Sequence, residues 1–293
     1  MRNILFGIIV FGISWGTLSV QAKDPDGLEI IDAHTHTFFS GKAERSSGLP
    51  MTEAEYFKEM KEAGVTGAVA HTRPGNVARG LGAEEDGYVD LRAKNIVHCF
   101  GLEAKVDESR LEEGLKSGKY GCIKVYLGYI HQFAYDEKYT PAYKLAEKYK
   151  VPVVFHTGDT YSTEAMLKFA HPLTIDEVAV KFPKVNFVIA HCGNPWTKSA
   201  AEVAYKNPNV FLDVSAFLVG DLKKLPKQKV ETYVVGPIKW IFGYLEDPTK
   251  LMFGTDWPLT EMKTYVAVVK QAIPKKHWKA VFHDNAARVF KLK

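Results

Sequence analysis

Eight short, apolar, β-rich runs recur along this chain after residue 27, and a turn and a helix-like stretch follow each of them. Nearly continuous apolar runs of this length are typical of strands that are buried on both faces. Eight strand–helix repeats favour a single closed (β/α)8 barrel, a TIM barrel, over an open doubly wound sheet. The runs are LEIIDAH (28–34), VTGAVAH (65–71), NIVHCFG (95–101), CIKVYLG (122–128), VPVVFH (151–156), VNFVIAH (185–191), NVFLDVS (209–215) and KLMFGTD (250–256).

The stretches between these runs carry helix signals. In TEAEYFKEMKEAG, Thr52 can cap the helix, Glu55 lies three positions later as in a capping box, and Gly64 can end the helix. No linker, low-complexity segment or change of composition divides the chain. We therefore expect one barrel domain over residues 23–293.

The first 22 residues have the pattern of a secretory signal peptide. Arg2 supplies the positive charge, residues 4–13 contain no polar side chain, and Val20-Gln21-Ala22 fits a cleavage site. The alternatives are an uncleaved membrane anchor and a buried N-terminal helix. The sequence predicts a periplasmic or secreted protein, with no stable membrane partner once the signal is removed.

Overall composition narrows the class of function. The apolar share is 46%, the charged share is 25% and the net charge is +4, which is too weak a bias for a nucleic-acid-binding protein. The 3 cysteines are too few for a disulfide scaffold, and their odd number leaves at least one thiol free. We expect no disulfide and a small-molecule partner.

Histidines and aspartates collect at the ends of the apolar runs. Because the carboxyl ends of barrel strands share one mouth, side chains placed there can meet. His34 and His36 are two positions apart, so they project to the same face of a strand. Any one histidine could instead be a hydrogen-bonded core residue, but imidazoles together with a carboxylate form a metal site. The residues that end or follow a run are His34, His36, His71, His156, His191 and Asp256.

Lys124 lies inside the otherwise apolar run CIKVYLG. An unpaired buried ammonium is costly, so this lysine requires a partner, an escape to the strand end or the loss of its charge. Carbamylation would remove the charge and create a carboxylate able to bridge two metal ions. These three interpretations remain open on the sequence.

Several motifs, in this order, resemble those of the metal-dependent amidohydrolase superfamily. IIDAHTH resembles its first-strand H-x-H motif, and GCIKVYLG resembles its fourth-strand lysine motif. FHTGDT, VIAHCGNPW and LMFGTDWPL are similar to its fifth, sixth and eighth strand ends. The last three, and the closing HDNAARVFKL, most resemble the amidohydrolase-related branch, which contains hydrolases and non-oxidative decarboxylases. The resemblance spans residues 28–293.

The resemblance implies a site containing one or two divalent ions, with zinc expected first. The residues expected around one metal are His34, His36, His156 and Asp256. His191 would bind a second metal or polarise the substrate carbonyl. Lys124 matches a position that some members of the superfamily carbamylate and others leave free.

The leading hypothesis is a hydrolase that uses a metal-activated water on an amide, ester or lactone, with Asp256 and His191 as catalytic residues. The alternative is a non-oxidative decarboxylase of an aromatic or unsaturated carboxylic acid, in which Arg73 would hold the carboxylate. A third possibility, from another class, is a secreted binding protein that has lost its chemistry. Arg73 and Trp257 are the candidate substrate contacts, although each could equally be a surface charge or a packing residue.

Overall fold

The computed structural model describes residues 24–71 and 89–293. The predicted signal peptide, residues 1–22, and Arg73 lie outside the described residues. Eight parallel strands pair in sequential order in one sheet, which confirms the barrel. Seven of them fall within predicted runs, and the first extends one residue beyond its run. The strands are β1 (Ile30–Thr35), β2 (Val65–His71), β3 (Ile96–Gly101), β4 (Cys122–Tyr126), β5 (Val153–His156), β6 (Phe187–Ile189), β7 (Val210–Asp213) and β8 (Leu251–Met252).

The barrel closes between β1 and the extended segment that follows the short β8. The Ala33 amide donates to the Phe253 carbonyl at 2.9 Å, and the Asp256 amide donates to the His34 carbonyl at 2.7 Å. Gly254 allows this close approach, because a Cβ on it would lie only 3.0 Å from the Cβ of His34. The closure therefore fixes the end of β1 directly against the segment that carries Asp256.

Helices surround the sheet on its outer side. The predicted cap and end are confirmed at the first of them, where the Thr52 side chain accepts from the Glu55 amide at 3.1 Å and Gly64 ends the helix with φ 74°. The second half of the capping box does not form, because the Thr52 amide donates to the Pro50 carbonyl instead of to Glu55. Within the described ranges, none of the helices combines the length and the apolar character needed to cross a membrane. The helices are α1 (Glu53–Ala63), α2 (Glu108–Lys116), α3 (Thr140–Tyr149), α4 (Thr174–Lys181), α5 (Thr197–Lys206), α6 (Lys227–Val230), α7 (Gly236–Leu245), α8 (Met262–Ala272) and α9 (Asn285–Phe290).

The apolar residues form two cores. The larger core lies between the helices and the outer face of the sheet, and the smaller one fills the barrel. Three residues of α9, Ala286, Val289 and Phe290, belong to the core inside the barrel. Asn95, which precedes β3, accepts from the backbone amide of Lys293 at 3.1 Å. The end of the chain therefore lies against the amino ends of the strands, where α9 forms the floor of the barrel.

Cys99 and Cys122 form a disulfide inside the barrel, so the expectation of no disulfide is wrong. The two residues are register partners on β3 and β4, with their Cα atoms 4.3 Å apart, and both are fully buried. The sequence does not indicate this pairing, because a helical crossover separates the two strands along the chain. Cys192 is free and buried, which confirms the expected free thiol.

Lys250, just before β8, is a second buried lysine that the sequence did not single out. Its Nζ donates to the backbone carbonyls of Asn207, Pro208 and Val210 at 2.8, 2.9 and 3.2 Å. These charge-assisted bonds fix the start of β8 to the chain that leads into β7.

Candidate metal centre

The predicted ligands come together at the carboxyl end of the barrel. His34 lies in β1 with His36 directly after it, His156 ends β5, and His191 and Asp256 follow β6 and β8. His191 and Asp256 have left-handed backbones, with φ of 58° and 61°. Residues other than glycine rarely adopt this backbone conformation, so the surrounding structure must hold them in it.

The side-chain distances of His34, His191 and Asp256 fit one shared ion. His36 and His156 lie beside this group. Asp256 Oδ1 lies 3.0 Å from His36 Nε2 and 3.7 Å from His34 Nε2. His156 Nδ1 lies 3.2 Å from His191 Nε2. Possible ligand atoms of His34, His191 and Asp256 all lie within 4.8 Å of one another. Ligand atoms that each lie about 2 Å from a common zinc ion are roughly 3–4 Å apart.

His34 in β1 and His36 directly after it each present an unprotonated nitrogen to the candidate metal position. His34 Nδ1 lies 2.9 Å from the Asp213 carboxylate, which can only accept a hydrogen bond. His36 Nδ1 lies 3.0 Å from the His71 backbone carbonyl, which also can only accept. Both Nδ1 atoms therefore carry the proton, and in the neutral rings both Nε2 atoms carry a lone pair that can bind a cation.

The imidazoles of His156 and His191 also present unprotonated nitrogens to the candidate metal position. His156 Nε2 donates to the Asp159 carbonyl at 2.9 Å, so its inward Nδ1 is bare. His191 Nδ1 lies 2.8 Å from the Ser215 hydroxyl oxygen. Because that hydroxyl gives its own proton to Asp213, it accepts from His191 and leaves the inward Nε2 bare.

Five groups with lone pairs therefore line this part of the mouth: the four imidazoles and the Asp256 carboxylate. Asp256 Oδ1 is buried and has no hydrogen-bond donor among the described residues, although His36 Nε2 is at 3.0 Å. Two lone pairs at this distance repel each other unless a cation lies between them. The donor set therefore fits a divalent metal ion, and imidazole with carboxylate is a set that suits zinc.

The pKa shifts favour the forms that bind metal. Burial lowers the pKa of His34 well below its ordinary value, and the nearby Lys124 ammonium lowers it further. Burial and then His191 do the same to the pKa of His156, and burial lowers the pKa of His191 itself. Burial alone would raise the pKa of Asp256, but the neighbouring imidazoles outweigh it and keep that pKa below its usual range. Neutral imidazoles and an ionised carboxylate are the states that act as ligands.

Lys124 lies directly beside the cluster and is fully buried. Its Nζ is 3.3 Å from His34 Nε2 and 5.3 Å from the centre of the Tyr126 ring. Burial lowers the pKa of Lys124 to about 8, against the attraction of Asp213 and Asp256. Lys124 therefore has a hydrogen-bond partner in His34, and carbamylation stays a prediction.

The candidate substrate contacts have different outcomes. Trp257 is fully buried, and its ring packs 4.9 Å from Tyr56 and 6.2 Å from Phe39. Its Nε1 has no hydrogen-bond partner among the described residues, and contact with substrate stays a prediction. Arg73 lies outside the described residues. Another aromatic residue, Tyr129, lies at the mouth, with its ring 5.0 Å from that of His156.

The sequence places His71 at a strand end, but sequence reasoning assigned no role to the groups that orient the ligands. His71 is buried with its ring centre 4.0 Å from that of His34, and its carbonyl holds His36. Asp213, at the end of β7, contacts His34, and Ser215, two residues later, contacts His191. Their spacing of two residues places both side chains on one face of the strand, and this signal was available in the sequence.

The fold and the donor set together define a TIM barrel with a candidate metal site at its mouth. The amidohydrolase family model matches residues 31–292, so the chain belongs to the amidohydrolase family. No curated protein matches the sequence.

Solved structures share this fold at low sequence identity. An uncharacterized TIM-barrel protein from Bordetella bronchiseptica is 20% identical, with a TM-score of 0.65 over 90% of this chain and 99% of that one. A 5-carboxyvanillate decarboxylase from Novosphingobium aromaticivorans, complexed with manganese and a nitrobenzoic acid, is 13% identical, with a TM-score of 0.64 over 93% and 99%. A probable 2-pyrone-4,6-dicarboxylic acid hydrolase from Acinetobacter baumannii with bound citric acid is 16% identical, with a TM-score of 0.61 over 90% and 100%.

Proposed function

We propose that this protein is an exported, metal-dependent hydrolase that acts on an amide, ester or lactone bond of a small molecule. The observation that carries the proposal is the convergence of bare imidazole nitrogens on a buried carboxylate at the barrel mouth. The residues that would hold a divalent ion, with zinc proposed first, are His34, His36, His156, His191 and Asp256. A carbamylated Lys124 would allow a second ion, whereas an ammonium at that position would not.

A divalent ion in this site would supply a nucleophilic water at neutral pH and polarise the scissile carbonyl. Asp256 is buried and ionised, so it can accept the proton that the attacking water loses and pass it to the leaving group. His191 has its Nδ1 proton engaged with Ser215, so the neutral ring offers only a lone pair to the site. As a neutral group, His191 therefore binds an ion or accepts a proton and does not donate to an oxyanion.

Two features support export. The first 22 residues have the charge and apolar pattern of a signal peptide. The Cys99–Cys122 disulfide is of a kind that persists mainly in oxidising compartments such as a periplasm. N-terminal sequencing of the protein from a periplasmic fraction should begin at Lys23, and an intact Met1 in the membrane fraction would contradict cleavage.

The function is tested by metal analysis coupled to a substrate screen. Wild-type protein is depleted with a chelator, reloaded with zinc or manganese, and assayed on amide, ester and lactone panels. His34→Ala should lose both the bound metal and turnover, whereas His277→Ala, which changes a histidine on the short turn after α8, should keep both. Full activity in metal-free wild-type protein would refute the proposal.

Non-oxidative decarboxylation is the competing chemistry, because similar structures include decarboxylases. The same screen therefore includes aromatic and unsaturated carboxylic acids, with CO2 release as the readout. CO2 release without cleavage of any amide, ester or lactone would replace hydrolysis by this function. A protein purified without chelator that contains almost no metal and turns over nothing would favour the non-catalytic binding protein.

A further inference from the structure

Asp213, at the end of β7, is a fully buried carboxylate that no part of the proposed chemistry uses. Its Oδ2 accepts from His34 Nδ1 at 2.9 Å. Its Oδ1 accepts from the backbone amides of His191 and Ser215, each at 3.1 Å, and from the Ser215 hydroxyl. The two carboxylate oxygens therefore have different partners: Oδ2 binds the ring of His34, and Oδ1 binds groups of His191 and Ser215.

Ser215 connects this carboxylate to a second imidazole. Its hydroxyl donates to Asp213 and accepts from His191 Nδ1, which lies 2.8 Å away. His34 and His191 come from β1 and from the turn after β6, yet their ring centres are only 4.7 Å apart. Asp213 on β7 reaches the first ring directly and the second through the serine.

We infer that Asp213, with Ser215 as its relay, is a positioning residue that fixes the tautomer and orientation of both His34 and His191. The inference rests on the metal centre of the proposed function, and it assigns a role that the ligands alone do not explain. With a proton on Nδ1, each ring presents a bare Nε2 inward. The opposite tautomer would place the lone pair of His34 Nδ1 against the carboxylate of Asp213, where the two would repel each other.

Asp213→Asn tests this arrangement with almost no change of shape. If the amide oxygen keeps accepting from the backbone amides of His191 and Ser215, the amide NH2 faces His34 Nδ1. His34 must then accept at Nδ1 and carry its proton on Nε2, the atom that should bind metal. Ser215→Ala removes only the relay to His191, and Ser215→Thr keeps a hydroxyl there.

Two measurements that need no substrate report the result. One is the zinc dissociation constant, from competition with a chromophoric chelator. The other is the set of imidazole ¹⁵N chemical shifts in histidine-labelled, metal-free protein, which distinguish the tautomers. Asp213→Asn should weaken zinc binding by about 10–100-fold, the range found when groups that orient a metal ligand are removed. It should also move the His34 signals towards the Nε2–H form.

The serine variants test the relay even if Asp213→Asn fails to fold. Ser215→Ala should shift the ¹⁵N signals of His191 and leave those of His34 in place, and Ser215→Thr should restore the wild-type spectrum. The matched control is Ser117→Ala, which removes a hydroxyl at the end of α2 that donates to the Gly114 carbonyl at 3.2 Å and should change neither readout.

The result that would overturn the inference is a folded Asp213→Asn, or a folded Ser215→Ala, with wild-type ¹⁵N shifts and a zinc dissociation constant close to that of the wild type. Failure of the wild type to bind any divalent ion is a different outcome. That result would refute the metal centre and therefore the proposed function, and with it any role of Asp213 in orienting metal ligands.

Discussion

The disulfide inside the barrel gives the sharpest prediction about stability. The bond between Cys99 and Cys122 closes a loop with a sequence separation of 23 residues. In the chain-entropy model, a loop of this length restricts the unfolded chain enough to stabilise the folded state by about 3.4 kcal/mol at 25 °C. Reduction, or replacement of both cysteines by alanine, should therefore lower the free energy of unfolding by about that amount.

Urea denaturation with and without a thiol reductant measures the effect. Wild-type protein should unfold at a lower urea concentration when reduced, and the double variant Cys99→Ala/Cys122→Ala should be insensitive to the reductant. Cys192→Ala is the matched control, because it removes a buried thiol without removing a cross-link and should keep the response of the wild type. Both bonded cysteines are fully buried, so we expect reduction to require unfolding.

A thiol count decides whether the reasoning holds. Protein from an oxidising compartment, denatured without reductant, should show one reactive thiol. Three reactive thiols, or a urea midpoint that does not move on reduction, would refute the disulfide and the loop argument together.

Three further changes test other parts of the fold. Lys250→Met leaves three backbone carbonyls without their ammonium donor. It should lower the free energy of unfolding in urea by about 2–4 kcal/mol. A decrease below about 0.5 kcal/mol would contradict a stabilising role of these bonds. Burial raises the pKa of Glu59 from an ordinary 4.5 to about 7. Its protonated form therefore favours the fold, so wild-type stability should fall as the pH rises from about 5 to 8, while Glu59→Gln should lack this part of the pH dependence. Thr52→Ala should cost about 1 kcal/mol through loss of the helix cap and Thr52→Ser much less, as measured by thermal unfolding; equal losses would argue against capping.

The sequence predicts the barrel well because a strand buried on both faces records that burial in its own residues. The same holds for the mouth: a polar side chain at the end of an apolar run can be placed without knowing its neighbours. The sequence alone therefore places His34, His156 and Asp256 at the mouth. The N-cap of α1 is likewise a local signal, complete within a few residues.

The parts that could not be predicted depend on contacts between distant residues. Cys99 and Cys122 meet only because β3 and β4 pair in one particular register. Asp213 gains its contact with His34 across 179 positions of the chain. Trp257 follows a strand at the mouth, but nothing in the sequence indicates that its ring turns into the core.

The floor of the barrel has a consequence for how the molecule assembles. α9 follows all eight strands in the chain, yet its side chains occupy the centre of the barrel beside residues of the earliest strands. Until α9 docks, that interior remains open to water from below, so completion of the ring of strands alone cannot give a dry interior. Under the export proposed above, the barrel would reach its stable form only after α9 had emerged on the far side of the membrane.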